Sequence, residues 1–138
     1  MFLLDTVVLS ATRKKRRDPN VVAWIQSVSP TDLYLSTITV GEVERGIERQ
    51  RSVNPPFAAE LELWLESTLR IYGDRILPLD IGSALRWGRL AARLGHAGVD
   101  LAIAATALEH GLTVVTRNVA HFAPTGVPTL NPFGAVRR

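Results

Sequence analysis

Residues 100–116 have the sequence DLAIAATALEHGLTVVT, in which a helical pattern leads directly into a strand pattern. Residues 101–110 are strongly apolar, and Gly111 follows them, as glycine often does at the C-terminal end of a helix. Residues 112–116 are apolar and rich in β-branched side chains, which is typical of a buried strand. This stretch therefore predicts a helix that begins beside Asp100 and feeds into a strand.

The same alternation of short apolar stretches and longer helical patterns extends over the rest of the chain. Further strands are predicted at residues 2–4, 33–35, 76–77 and 127–130. Helices are predicted after Asp18-Pro19 and over residues 39–51 and 58–72, with Pro55-Pro56 as an interruption between the last two. A further helix is predicted after Asp80, with Ile81, Leu85, Gly88 and Ala92 on one side. Strands separated by helices indicate an α/β fold with a parallel sheet between two helical layers.

Length and composition narrow the possible classes of protein. The chain has 138 residues, of which 46% are hydrophobic, so we expect residues 1–138 to form a single domain with one core. Cysteine is absent, which excludes disulfides, thiolate metal sites and cysteine nucleophiles. We see neither a signal peptide nor an apolar run of the roughly 20 residues that a membrane span needs, so we expect a cytoplasmic protein without a membrane partner.

The charge balance gives a mild indication of a polyanionic partner. The net charge is +3, and the basic residues are 14 arginines and only two lysines. Arginine suits contacts with phosphate, although a compositional bias of the genome explains the same excess equally well. The basic run at residues 13–17 could likewise hold a nucleic-acid backbone or be a solvated loop.

Three acidic residues are predicted to meet at one edge of the sheet. Asp5 ends the first strand, Glu42 is expected in the first turn of the helix after the second strand, and Asp100 begins the helix before the strand at residues 112–116. Converging carboxylates repel one another unless a cation neutralises them, and oxygen ligands suit Mg²⁺ or Mn²⁺. Such a metal activates water and stabilises charge on a phosphodiester, so the pattern predicts a metal-dependent nuclease.

Each of these residues also has a purely structural explanation. Glu42 could complete a capping box that starts at Thr39, Asp100 could cap its own helix, and Asp5 could form a turn at the strand end. Taken singly, these explanations are favoured, and only the shared position in the topology favours a site. Asp5 is the strongest candidate because a charge inside the apolar stretch at residues 1–9 is costly without a role.

The segment after the strand at residues 112–116 adds polar candidates. Thr116 and Asn118 could hydrogen-bond a metal-bound water or a phosphate, and His121 could be a ligand or carry a proton. An ordinary turn with a surface histidine explains the same residues.

Five segments together resemble the PIN-domain ribonucleases, in particular the VapC-like and FitB-like toxins of bacterial toxin–antitoxin pairs. They are FLLDT at residues 2–6, LSTITVGE at 35–42 with Gly46 following, DLAIAATA at 100–107, VTRN at 115–118 and NPF at 131–133. The resemblance runs nearly end to end and implies a three-layer α/β/α fold around a short parallel sheet.

The resemblance also implies a function. Asp5, Glu42 and Asp100 match the acidic positions of a pocket that binds Mg²⁺ or Mn²⁺ and hydrolyses RNA endonucleolytically. The residues in or beside the matching segments that we expect to contact the substrate are Thr6, Thr116, Arg117, Asn118 and His121. Proteins of this kind are commonly homodimers and are silenced by a cognate antitoxin.

The chain departs from the family pattern at three positions. His121 stands where a fourth acidic residue is common, Val7 where asparagine or serine is common, and Ala11 where glutamate is common. These changes imply one metal instead of two, a shift towards Mn²⁺, or weaker activity, and Asn118 could compensate as a neutral oxygen ligand. The alternative function is therefore a PIN-fold module that binds RNA or an antitoxin without efficient cleavage.

Two further hypotheses concern other features of the chain. A phosphoacceptor signalling domain is disfavoured, because such domains need a lysine near the late strands and the only lysines are Lys14 and Lys15. The helix at residues 58–72 carries Trp64 and Tyr72, which could form an interface between subunits or belong to the core.

Overall fold

The computed structural model describes residues 1–14 and 16–134, and it contains one five-stranded sheet. Every pair of neighbouring strands is parallel, and the strand order is β3-β2-β1-β4-β5. The strands are β1 (Phe2–Leu4), β2 (Leu33–Ser36), β3 (Ile76–Leu77), β4 (Thr113–Val115) and β5 (Thr129–Leu130). The predicted parallel sheet is therefore confirmed, while Lys15 of the basic run and residues 135–138 lie outside the described residues.

Helices connect the strands, as parallel pairing requires. They are α1 (Thr6–Ala11), α2 (Pro19–Ser27), α3 (Thr37–Val53), α4 (Pro55–Tyr72), α5 (Ile81–Leu94), α6 (Val99–His110) and α7 (Val119–Phe122). Within the described residues no helix is both long enough and apolar enough to cross a membrane.

Alternation along the central strands divides the core between the two faces of the sheet. Leu4 and Val115 pack with residues of α1, α3 and α4, whereas Leu3 and Val114 pack against α6 and α7. Helix α5 packs on α6. The predicted three-layer α/β/α arrangement is confirmed.

Helix α6 is buried along most of its length. Its residues from Leu101 to Ala107 are all buried because the helix lies between the sheet and α5, which is why its sequence is apolar on every side. Gly111 ends the helix with φ at 67°, a conformation that favours glycine. Asp100 is thereby fixed in the first turn of a rigid, buried element.

Several predictions about the helices were wrong in detail. Pro55 and Pro56 belong to the first turn of α4 instead of lying between the two helices, because Asn54 caps α4 and proline is tolerated in a first turn. The short helices α1 and α7 were not expected. The side of α5 that carries Ile81 and Leu85 faces outward, with these two side chains 81% and 58% exposed, because α5 packs inward through other residues.

Trp64 and Tyr72 of α4 pack against the core. Trp64 and Tyr72 are partly buried and pack against the core cluster that includes Leu65. The exposed large apolar side chains of α4 are instead Leu63, Leu69 and Ile71. Core packing therefore accounts for the two aromatic residues, and they are no evidence of an interface.

Candidate active site

Asp5 lies at the C-terminal end of β1 and has two structural partners. Its backbone N–H donates to the Val115 carbonyl at 3.0 Å, which holds the residue beside the end of β4. Its carboxylate accepts a hydrogen bond from the Val8 N–H at 3.0 Å and so caps α1. The strand end and the cap together fix both the position and the orientation of this carboxylate.

The surroundings of Asp5 disfavour its charged form. The residue is only 4% exposed, and burial is the main cause that raises its pKa above the ordinary value. Hydrogen bonds from Thr116 and Val8 oppose this rise, while the negative charges of Asp100 and Glu42 add to it. Asp5 therefore lies close enough to Asp100 and to Glu42 for their charges to act on it.

Glu42 lies in the second turn of α3, where it is partly buried. The predicted first-turn position and the capping box from Thr39 are wrong, because Ser36 caps the helix by accepting the Ile38 N–H at 3.0 Å. The Glu42 carboxylate instead accepts a hydrogen bond from the Thr6 hydroxyl of α1. Capping therefore does not explain Glu42, and a contact between distant parts of the chain holds it.

Asp100 lies in the first turn of α6 but does not cap it. Gly98 occupies the cap position, so the Asp100 carboxylate makes no capping hydrogen bond. It lies 3.3 Å from Nδ1 of His121, and both side chains remain accessible, at 40% and 65% exposure respectively. A negative charge is favourable at this end of a helix. The Asp100 carboxylate is therefore accessible to a ligand.

The residues after β4 divide into a buried anchor and an exposed rim. Thr116 is fully buried, its hydroxyl accepts the Asn118 N–H at 2.9 Å, and its own N–H donates to the Leu130 carbonyl. Asn118 is exposed, and its side chain does not cap α7. The exposed Arg117 places its guanidinium 3.9 Å from the centre of the Phe133 ring. Thr116 thus supports Asp5, whereas Arg117 is held by an aromatic partner.

A depression of about 420 Å³ opens the site to the outside at Asp100. It is lined by His96, Gly98, Val99, Asp100, Ala120, His121 and Pro124. His96 was not predicted, and its Nδ1 accepts the Gly98 N–H at 3.2 Å just before α6. A single histidine in a loop between two glycines gave no sequence signal for this position.

The chemistry of the donor set fits a hard divalent cation. The acidic residues offer only oxygen atoms as ligands. A bound cation would also relieve the repulsion that Asp100 and Glu42 exert on the buried Asp5. Within the described residues, however, no three histidine or acidic side chains lie close enough to hold a metal together. Each carboxylate instead contacts a protein group, namely the Val8 N–H, the Thr6 hydroxyl and the His121 ring.

Comparison with known proteins gives a consistent result along the whole chain. The PIN domain family matches residues 2–123. Toxin FitB of Neisseria gonorrhoeae is 36% identical over 139 residues, which cover 96% of this chain and 99% of that protein. The VapC ribonuclease Y4jK of Sinorhizobium fredii is 34% identical over 143 residues, which cover 96% of this chain and 98% of that protein.

A solved structure supports the same assignment. The crystal structure of FitAcB from Neisseria gonorrhoeae superimposes with a TM-score of 0.86 at 38% identity. The alignment covers 96% of this chain and 98% of that chain. The similarity therefore includes both helical layers and the sheet between them.

Proposed function

This chain belongs to the PIN-domain family, and on that premise we propose that it is an endoribonuclease that acts as the toxin of a toxin–antitoxin pair. The observation that carries the proposal is the buried Asp5 at the end of β1, whose pKa is raised in part by the charges of Asp100 and Glu42. Acidic side chains placed near one another lower the stability of the fold, and such groups with perturbed pKa values are common at functional sites. Relatives named as a VapC ribonuclease and as toxin FitB support the reaction and the role.

In the proposed mechanism, Asp5, Glu42 and Asp100 would hold Mg²⁺ or Mn²⁺, which requires the three side chains to move closer together than they lie among the described residues. When bound, the metal supplies an activated water and stabilises negative charge on the phosphate. The Thr6 hydroxyl orients Glu42, and the Val8 N–H orients Asp5. These contacts keep the carboxylates in place while the RNA phosphodiester is hydrolysed.

The exposed rim of the site is proposed to bind the substrate. Asn118 and His121 are both exposed, His121 lies beside Asp100, and both side chains can donate hydrogen bonds to phosphate or to a base. Arg117 has a fixed guanidinium over Phe133 and adds a positive charge to the same segment. We further propose that residues 1–138 form one domain, that it forms homodimers, that it acts in the cytoplasm, and that a cognate antitoxin is its protein partner.

A weakened enzyme is the second candidate function. His121 occupies the position where the family often has an acidic residue, and its ring lies against Asp100. Because histidine supplies no carboxylate at this position, the site would have less negative charge and a lower affinity for a cation. In that case the protein would bind RNA or the antitoxin and cleave slowly.

The deciding experiment is cleavage of a mixed-sequence fluorogenic RNA by the purified protein without antitoxin. It is run with Mg²⁺, with Mn²⁺ and with EDTA, beside the Asp100→Asn variant. Asp74→Asn is the matched control, because Asp74 is exposed and lies before β3 at the opposite edge of the sheet. We expect metal-dependent cleavage that Asp100→Asn abolishes and Asp74→Asn preserves.

Other outcomes separate the two candidates. Cleavage that persists in EDTA or in Asp100→Asn would refute the proposed site. If the wild type cleaves slowly and His121→Asp cleaves faster, the weakened enzyme is the correct description. A rise in melting temperature on adding Mn²⁺, seen in the wild type but not in Asp5→Asn, would report metal binding independently of activity.

A further inference from the structure

Three arginines of α5 share one surface of the protein. Arg86, Arg89 and Arg93 are spaced three and four residues apart, which places them on one face of the helix. They line a depression of about 380 Å³ together with Leu90, Leu108 and Thr125. We call Arg86, Arg89 and Arg93 the arginine track.

The arginine track carries excess positive charge. Arg86 is paired with Glu109, with Nε and Oε1 2.8 Å apart. Within residues 1–14 and 16–134, no acidic side chain forms an ion pair with Arg89 or Arg93. Arg93 only donates a hydrogen bond to the Pro124 carbonyl at 3.3 Å. Two guanidinium groups of the track are therefore available to an anion.

One end of the track adjoins the candidate active site. Pro124, which accepts the hydrogen bond from Arg93, also lines the depression that contains Asp100 and His121. The other end lies at Arg86, which contacts Glu109 near the C-terminal end of α6. The arginine track therefore runs along α6, from the end of that helix near Asp100 to its C-terminal end near Glu109.

We infer that the arginine track binds the phosphate backbone of the RNA substrate on one side of the cleaved bond. This inference rests on the proposed function, because it takes RNA as the substrate. The acidic site repels a polyanion, so a neighbouring basic surface has to supply the attraction that holds the strand. From Arg86 to Arg93 the helix rises about 10 Å, which matches about three stacked nucleotides of one strand.

The other basic segment is less suited to this role. Arg13 lies 5.5 Å from the centre of the Phe57 ring and 5.9 Å from that of Trp64, so aromatic side chains already hold its guanidinium. Nothing comparable holds Arg89 among the described residues. The arginine track is therefore a basic surface that adjoins the depression at Asp100 and keeps guanidinium groups available to an anion.

The test is the salt dependence of RNA binding. A labelled mixed-sequence RNA oligonucleotide is titrated in EDTA, by fluorescence anisotropy, between about 50 and 200 mM KCl. For the double variant Arg89→Gln and Arg93→Gln, we expect weaker RNA binding at every salt concentration. The slope of log affinity against log salt should become shallower by about 1.4, because each of the two lost phosphate contacts contributes about 0.7 to the slope. The double variant Arg89→Lys and Arg93→Lys keeps the charge, so it should keep most of the slope.

Arg70→Gln is the matched control. Arg70 is also an exposed helical arginine, but it lies at the end of α4, which leads into the start of β3 at the other edge of the sheet. It should therefore retain the wild-type slope. An unchanged slope in the Arg89 and Arg93 glutamine variant, or an equal loss in Arg70→Gln, would overturn the inference.

Two further outcomes separate this inference from the proposed function. If the wild type binds RNA with a slope that depends on the track but never cleaves it, the proposed function fails and the track stands. If the wild type cleaves RNA and the glutamine variant binds it unchanged, the function stands and the track fails. Loss of antitoxin binding alone in the glutamine variant would assign the track to a protein partner and also overturn the inference.

Discussion

Replacing Asp5 by asparagine is expected to stabilise the folded chain while it removes the proposed activity. Asparagine caps a helix as well as aspartate does, so the hydrogen bond from the Val8 N–H is retained. The substitution removes a buried charge that Asp100 and Glu42 repel. In EDTA, the free energy of unfolding of Asp5→Asn should therefore exceed that of the wild type.

The size of the cap contribution follows from a second variant. Asp5→Ala removes the charge as well, but it also loses the cap, which costs about 1 kcal/mol. The two variants should therefore differ by about 1 kcal/mol, or by about 4 °C in melting temperature for a chain of this length. Urea denaturation followed by circular dichroism measures the difference directly.

The pH dependence gives the sign of the charge effect. Because the pKa of Asp5 is raised in the folded state, the contribution of this residue to stability is greatest below the unfolded pKa of 3.8 and is lost as the pH rises through the folded pKa. The advantage of Asp5→Asn should thus grow with pH. Asp18, which caps α2, is the control, and Asp18→Asn should lose a little stability because a negative charge favours that helix end. An Asp5→Asn variant less stable than the wild type at pH 7 would refute the reasoning.

Three other predictions concern the fold. Phe122→Ala should lower the free energy of unfolding by about 3–5 kcal/mol, because the ring is fully buried. A loss below about 1 kcal/mol in urea denaturation would contradict this prediction. Thr39→Val should raise the melting temperature, because the buried Thr39 hydroxyl has no hydrogen-bond partner among the described residues, and a fall in calorimetry would contradict this. Asp80→Asn should lose stability mainly above pH 3.8, because hydrogen bonds from Ser83 and then from His110 lower the pKa of Asp80 in the folded state. The difference in the free energy of unfolding between this variant and the wild type should disappear as the pH falls through that lower pKa. Urea titrations at several pH values measure this difference.

The elements that could be predicted from the sequence are those whose signals are local. Helix α6 was predicted because its apolar run and Gly111 lie side by side in the chain. The parallel sheet followed from the alternation of strands and helices. That arrangement then placed Asp5 and Asp100 at one edge, since the ends of parallel strands meet there.

The features that were missed depend on competition between signals or on distant contacts. Residues 7–9 are apolar and include two valines that favour a strand, but the Asp5 cap turns them into α1. Ser36 and Thr39 are both able to cap α3, and only the place of Ser36 at the end of β2 decides between them. The hydrogen bond from the Thr6 hydroxyl to Glu42 joins residues that are 36 positions apart in the chain, so no local sequence pattern could indicate it.

The central position of β1 also determines when during synthesis the candidate active site can form. Phe2 and Thr113 are paired in neighbouring strands although more than a hundred residues separate them. At the usual rate of translation, about 5–20 residues per second, the ribosome needs between about 5 and 20 seconds to make that intervening chain. Until β4 has emerged, the Asp5 N–H has no partner at Val115 and Asp100 has no fixed place beside it. A nascent chain therefore lacks an assembled candidate active site for most of its synthesis.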